Sequence, residues 1–373
     1  MIYLDNAATS FPKPEAVYRA MDRAQRYIGA NPGRAGHQLS LSAARIVMDT
    51  REALAELLHV SEPERIVFGS NCTDMLNIAI KGVVRDGMQV VTSVRSHNSV
   101  LRPLQSLADQ GRIKLKITSD ILHAVGRNTD LVVIPHADNV TGAILPVEQI
   151  AILCQIHHCR LIVDAAQTAG ILPLYPEEWG VDLCAMPGHK GLLGPQGTGA
   201  LYIRKGVDLK PLKEGGTGTS SQLLEQPREL PERYESGTLN TPGLAGLGQG
   251  VRYVLEHRAR IRAHELLLTE RLLHGLRSIP NVHLYGPATA LERVGTVSFN
   301  IEGMESGMAA DRLDAFGICV RAGLHCAPLM HESLGTLATG TLRASLGFMN
   351  SADDVDALLH RVSCIAKTAL HKQ

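Results

Sequence analysis

The chain has 373 residues, and its 37 lysines and arginines balance 37 aspartates and glutamates, so formal charge is zero with histidine neutral. That length favours two domains over one core, and the balance offers neither a basic field for nucleic acid nor an acidic tail. No run approaches the roughly 18 apolar residues of a membrane span, and seven cysteines without framework spacing fit a reducing compartment better than a disulfide scaffold. The start, Met1-Ile2-Tyr3-Leu4-Asp5-Asn6, lacks the basic and apolar regions of a signal peptide. A cytoplasmic globular protein is expected.

Residues 41–58 read as an amphipathic helix. The strand-like stretch 65–68 leads into Ser70-Asn71-Cys72-Thr73-Asp74, where helix-start N–H groups and the Thr73 hydroxyl suit a phosphate. An ordinary N-cap would use the same atoms. A strand at 90–94 runs into Arg95-Ser96-His97-Asn98-Ser99. A lone histidine is usually a satisfied polar residue, but at a strand end facing a cofactor His97 could stack on a ring and pass protons near neutral pH. A helix over 99–109 and a strand over 131–134 follow. In the helical stretch 147–158, Cys154, His157, His158 and Cys159 invite a zinc reading. Their placement along a helix and the lack of a second pair disfavour it.

Strand 161–163 ends at Asp164, which Ala165, Ala166 and Gln167 follow. Strand 182–185 runs into Met186-Pro187-Gly188-His189-Lys190-Gly191, and a further strand covers 198–204. Alternation of short β-branched runs with helical stretches predicts parallel βαβ units, with ligand groups at the strands' C-terminal ends. A loop lysine is most often a surface group. Lys190, set beside a histidine and between glycines with an acid ending an upstream strand, is the arrangement a Schiff-base enzyme needs. It suggests pyridoxal phosphate: Asp164 would keep the pyridine nitrogen protonated, and Lys190 would carry the aldehyde. The small Ala165 and Ala166 would let a flat ring approach, and Gln167 would reach its phenolic oxygen.

Glu214-Gly215-Gly216-Thr217-Gly218-Thr219-Ser220-Ser221 reads either as a flexible connection or as an anion-binding loop. Beyond Pro242, a long helical stretch over 243–276 precedes strands at 295–300 and 342–348 and helices at 306–316 and 352–369. This mixture predicts a smaller α+β domain. The expected division is a large domain of residues 13–245 and a small one of 246–373 together with 1–12. Cys326 lies in Val320-Arg321-Ala322-Gly323-Leu324-His325-Cys326-Ala327-Pro328, an exposed loop by its residues, where Arg321 would favour the thiolate. The other six cysteines read as small buried hydrophobes. Arg343 is either an edge-strand surface arginine or a bidentate partner for a substrate carboxylate.

Together these segments resemble the class V branch of fold-type I pyridoxal-phosphate enzymes, specifically cysteine desulfurases and selenocysteine lyases. The resemblance runs from Tyr3-Leu4-Asp5-Asn6-Ala7-Ala8-Thr9 to Leu342-Arg343-Ala344-Ser345. Arg321-Ala322-Gly323-Leu324-His325-Cys326-Ala327 looks like the short-loop, Suf-type subgroup. The resemblance implies an α/β fold, with a mostly parallel sheet in a large domain, and a site at a homodimer interface. Lys190 would carry the cofactor, Asp164 pair with its ring nitrogen, and His97 stack on its ring. Gln167 and Asn139 would contact the ring hydroxyl or substrate, and Cys72-Thr73 and His189 the phosphate. Thr217 or Thr219 would reach a neighbouring subunit's phosphate. Arg343, with Arg321 nearby, would bind the substrate carboxylate, and Cys326 would accept sulfur. Three departures from the family pattern stand out: Pro187 stands for a common serine, Cys72-Thr73 for a threonine pair, and the two pairs Ser96-His97 and Leu324-His325 for histidine doublets.

The implied reaction converts L-cysteine to L-alanine, leaving sulfur on Cys326 as a persulfide for an acceptor protein. Alternatives are a selenocysteine lyase, a cysteine or cystine lyase giving pyruvate, and a cofactor-binding partner without turnover.

Overall fold

Short runs of valine, isoleucine and leucine pair side by side because each buries side chains on both faces. The structure, a computed structural model, describes residues 1–33, 36–219 and 222–370. Its first half contains β1 (Ile2–Tyr3), α1 (Glu15–Tyr27), α2 (Gln38–Leu58), β2 (Ile66–Gly69), α3 (Cys72–Val83), β3 (Met88–Ser93), α4 (Asn98–Asp109), β4 (Ile113–Thr118), α5 (Ile121–Ala124), β5 (Leu131–Pro135), α6 (Val147–Ile156), β6 (Arg160–Asp164), α7 (Pro176–Trp179), β7 (Leu183–Pro187) and β8 (Gly199–Ile203). The rest contains α8 (Thr241–Arg277), β9 (Val282–Tyr285), β10 (Thr296–Ile301), α9 (Ser306–Asp314), β11 (Ile318–Cys319), β12 (Arg321–Gly323), α10 (Pro328–Ser333), β13 (Thr341–Ser345) and α11 (Ala352–Leu370).

The large sheet has seven strands in the order β2-β8-β7-β6-β5-β3-β4. The block from β7 to β4 is parallel, whereas β8 runs antiparallel to both its neighbours. Alternate residues feed two apolar layers. Val132, Ile134, Leu161 and Val163 pack with α2, α6 and the first half of α8, while Leu131, Val133 and Ile162 pack with α3 and α4. This is the mostly parallel α/β arrangement that the periodicity predicts. A second, antiparallel sheet, β12-β13-β10-β9, forms another core with α9 and α11.

α8 spans both cores. Leu244 to Ile261 face the large sheet, and Leu268 to Leu276 face the small one. A Cβ on Gly250 would stand 2.4 Å from the Leu192 carbonyl oxygen, so only glycine lets α8 press on the loop after Lys190. Glu265 of α8 is 3 % exposed, and burial raises its carboxyl to about 8 while Arg262 opposes the shift. The folded protein therefore keeps a proton that the unfolded chain releases near pH 4.3, roughly. Between those values the folded state binds more protons than the unfolded one, so stability falls as pH rises, by up to about 1.4 kcal/mol per unit. Glu265→Gln is expected to flatten this decline. Thermal unfolding should show the variant gaining on wild type between about pH 5 and 8; a pH-independent difference would contradict the assignment.

Candidate active site

Parallel strands deliver their following loops to one edge of the sheet. Here β6 ends in Asp164, β7 leads to His189 and Lys190, β3 to His97, and β5 to Asn139. All five residues line one cleft of about 870 Å³, open solvent included, a size suited to a small molecule. Arg343 of β13, Arg321 of β12 and Cys326 from the loop after β12 line it from the small sheet.

Lys190 is half-buried. Burial lowers its pKa, and the Arg343 and Arg321 cations add to this, while Asp164 opposes it. The loop carrying Lys190 packs tightly on the turn after Asp164, since a Cβ on Gly191 would lie 2.4 Å from the Ala169 carbonyl oxygen. Asp164 is 4 % exposed. Its Oδ1 accepts the Ala166 N–H at 2.9 Å and faces the Cys72 thiol at 3.6 Å. Burial, then Asp164, pushes that thiol's pKa well up, so Cys72 stays protonated.

Four donors converge on the His189 carbonyl oxygen: the Ser10 N–H at 3.0 Å, the Thr9 hydroxyl at 3.1 Å, the Ser10 hydroxyl at 3.2 Å and Lys13 Nζ at 3.2 Å. The N-terminal segment is thereby fastened beside Lys190. Burial lowers Lys13 to about 8. Burial, then Lys190 and Lys13, lowers His189 to about 4, so that imidazole is neutral. Its buried Nδ1 has no protein partner.

His97 caps α4. Its Nδ1 accepts the Ser99 N–H at 3.1 Å and meets the Ser99 hydroxyl at 2.8 Å, which places the neutral ring's proton on Nε2. The Ser99 hydroxyl also meets that of Thr73 at 2.7 Å, at the start of α3. Burial lowers the His97 pKa, with Asp164 opposing.

Arg343 is 2 % exposed because β13 lies between β12 and β10, not at an edge. Its Nη2 donates to Asp5 Oδ1 at 2.8 Å and its Nη1 to the Asn139 carbonyl at 2.9 Å. The Asn139 side-chain amide donates to the His325 carbonyl at 2.6 Å. His325 and Cys326 are both left-handed, at φ +48° and +59°, a conformation that costs about 1–2 kcal/mol per non-glycine residue. The loop keeps that shape because each turn of backbone is tied: Cys326 O accepts the Asn98 N–H at 2.8 Å, and His325 Nε2 donates to the Thr341 carbonyl at 3.1 Å. Cys326 itself is exposed.

The structure thus brings together Cys72, Thr73, His97, Asn139, Asp164, Gln167, His189, Lys190, Arg321, Cys326 and Arg343. It does not bring Thr217 and Thr219 to this cleft within the single chain. Their hydroxyls face each other at 3.4 Å, and Thr217 borders a separate groove with Asn31, Arg51 and Glu235. Ser220 and Ser221 lie outside the described residues. Cys72, Cys154, Cys159 and Cys184 are buried, whereas Cys319 is only half-buried and Cys364 is exposed, because Cys364 sits on the outer face of a terminal helix. Among the described residues no group of three or more histidines, cysteines and acids could hold a metal ion.

Asp5, Lys13, Ser99 and His325 escape the sequence reading. Asp5 acts across 338 positions and Lys13 across 176, which no local pattern reports. Ser99 was legible, because a serine two residues after His97 at a helix start is a ready partner for its ring.

The aminotransferase class-V family profile matches residues 2–358. A probable cysteine desulfurase of Methanothermobacter thermautotrophicus is 35 % identical over 96 % of this chain and 92 % of its own. One from Pyrococcus abyssi is 33 % identical over 100 % and 96 %. A cysteine desulfurase structure from Thermococcus onnurineus superposes with a TM-score of 0.92 at 33 % identity, over 98 % of this chain and 95 % of that one. The chain belongs to the class-V aminotransferase family, among relatives named as cysteine desulfurases.

Proposed function

We propose that the protein is a pyridoxal-phosphate-dependent cysteine desulfurase that converts L-cysteine to L-alanine and takes the sulfur onto Cys326. One observation carries this reading: an exposed cysteine, on a tied left-handed loop, opens onto the same cleft as a half-buried lysine and a buried acid. The cleft fits the cofactor chemically. It offers a carboxylate at a strand end, an amine of lowered pKa and the N-terminus of the 12-residue α3 with the Thr73 hydroxyl. Its buried His189 Nδ1 and Asn139 Oδ1 also lack protein partners.

Asp164 would hold the ring nitrogen's proton, Thr73, His189 and the α3 N-terminus the phosphate, and Gln167 and Asn139 the ring oxygen. Pyridoxal phosphate, when bound, supplies an aldehyde for the substrate amine and an electron sink for negative charge at Cα. Lys190, its pKa lowered by burial, is the amine placed to take the Cα proton. Arg343, with Nη1 and Nη2 fixed, would present its remaining N–H groups to the substrate carboxylate, with Arg321 at the mouth. The Cys326 thiolate attacks the substrate sulfur: an S–S bond forms, the C–S bond breaks, and carbon keeps that pair and gains a proton. The products are alanine and a Cys326 persulfide. His97 Nε2–H would serve the proton transfers.

The chain reads further as two domains, 13–245 and 246–373 with 1–12, joined through α8. A homodimer would let the Thr217–Thr219 loop reach a partner's cleft, and a sulfur-acceptor protein would discharge Cys326. No helix among the described residues is long and apolar enough to cross a membrane; a cytoplasmic setting is our reading of the cysteine usage.

With L-cysteine and a reductant, wild type is expected to yield equimolar alanine and sulfide, and Cys326→Ala to lose both while keeping the bound cofactor's absorbance. Undiminished alanine from the variant would favour a lyase that releases its chalcogen directly, including a selenocysteine lyase. Pyruvate in place of alanine would favour β-elimination, and no product would leave cofactor binding alone. Arg343→Lys keeps the charge but not the fork, so KM for L-cysteine should rise roughly 10- to 100-fold with kcat less affected. Steady-state kinetics checks this, and an unchanged KM would remove Arg343 from the carboxylate site.

A further inference from the structure

The side chains of Cys154 and Cys159, which the desulfurase reading does not use, come together at the end of α6. The meeting follows from how that helix stops. His158 is left-handed at φ +55°. Its N–H donates to the Gln155 carbonyl at 3.2 Å, and the Cys159 N–H donates to the Cys154 carbonyl at 2.9 Å. These are the two bonds of a Schellman cap, which brings the side chains of its first and last residues together, usually as a hydrophobic contact. Here both are cysteines, 3 % and 7 % exposed, while Gln155, Ile156 and His158 between them are exposed. Both side chains lie in one apolar core cluster. The interaction between the two thiols lowers the Cys159 pKa and, with burial, raises that of Cys154. Cys72 and Cys184, also buried, are both raised by burial, and the Cys72 thiol donates to Asp164 Oδ1 instead.

We propose that Cys154 and Cys159 form a two-electron redox site, closing to a disulfide when a hydroperoxide oxidises the protein. The Cys159 thiolate attacks a peroxide oxygen, the O–O bond breaks, and the leaving hydroxide departs as water (for an organic peroxide, as the alcohol). Cys154 sulfur then attacks the Cys159 sulfenic acid, an S–S bond forms, and the second oxygen leaves as water with the thiol proton. Two thiols are oxidised and one peroxide is reduced. The bond staples the end of α6 to the start of β6, about 16 Å from the strand end that carries Asp164. It is therefore separate from the cleft, and the proposal does not rest on the desulfurase reading.

The test is direct because one tryptic fragment, residues 128–160, contains both cysteines and no others. The cofactor-loaded protein is treated with hydrogen peroxide, unfolded, alkylated with iodoacetamide, digested and weighed. The expected fragment carries no alkyl group and is lighter by two hydrogens, and it accepts two alkyl groups after dithiothreitol. Cys72 and Cys184 should remain alkylatable at the same dose. In Cys154→Ser, Cys159 should instead run on to sulfinic acid while turnover of L-cysteine under reductant is unchanged. A fragment that still carries two alkyl groups once exposed Cys326 is oxidised would overturn the proposal. So would oxidation of Cys159 in wild type without a cross-link.

Discussion

A guanidinium at 2 % exposure must be partnered or it destabilises the fold by several kcal/mol, typically about 3–5. Arg343 meets this constraint by reaching in two directions, to Asp5 in the N-terminal segment and to the Asn139 carbonyl on the loop after β5. Asn139 in turn holds the His325 carbonyl, next to Cys326. One buried charge thus links the first residues, the small sheet, the large sheet's ligand-bearing edge and the cysteine loop. The N-terminal segment is fixed a second time, by the four donors on the His189 carbonyl. Lys190 and Cys326 are held from opposite sides of the cleft by the same network.

The electrostatics follow from burial more than from pairing. Lys190, Lys13, His97, His189 and His325 are all shifted toward their neutral forms with burial as the leading cause, His325 to about 2. Imidazoles shifted toward their neutral form along the cleft suit proton transfer at neutral pH. The cleft's guanidinium groups are Arg343, Arg321 and Arg95, the last paired with Asp138, and the first two suit a substrate carboxylate.

Much of this was legible in the residues. The runs at β3, β5 and β6 are short and rich in β-branched residues, and β7 is short and apolar, so their strand character and parallel pairing could be read directly, and the groups following them fell at the expected edge. The reversed direction of β8 could not, because a period-two pattern carries no direction. β4, Ile-Lys-Leu-Lys-Ile-Thr, alternates with period two, and its lysines mark the edge strand that it is. Arg343 looks like a surface residue in isolation, since the carboxylate that permits its burial lies at the other end of the chain. The predicted helix over 147–158 stops at Ile156 because His158 adopts a left-handed cap. For Thr217 and Thr219 the single chain offers no route to the cleft, and their assignment depends on a second copy.

The central claim is that sulfur leaves the substrate at the Lys190 cleft and arrives on Cys326. The cofactor-loaded protein should be mixed with L-cysteine without reductant, quenched and digested, and the Cys326 peptide weighed. The account predicts one added sulfur atom on Cys326, removable by reductant, formed in step with alanine and absent in Lys190→Ala. Alanine accumulating while the Cys326 peptide keeps its original mass would contradict it.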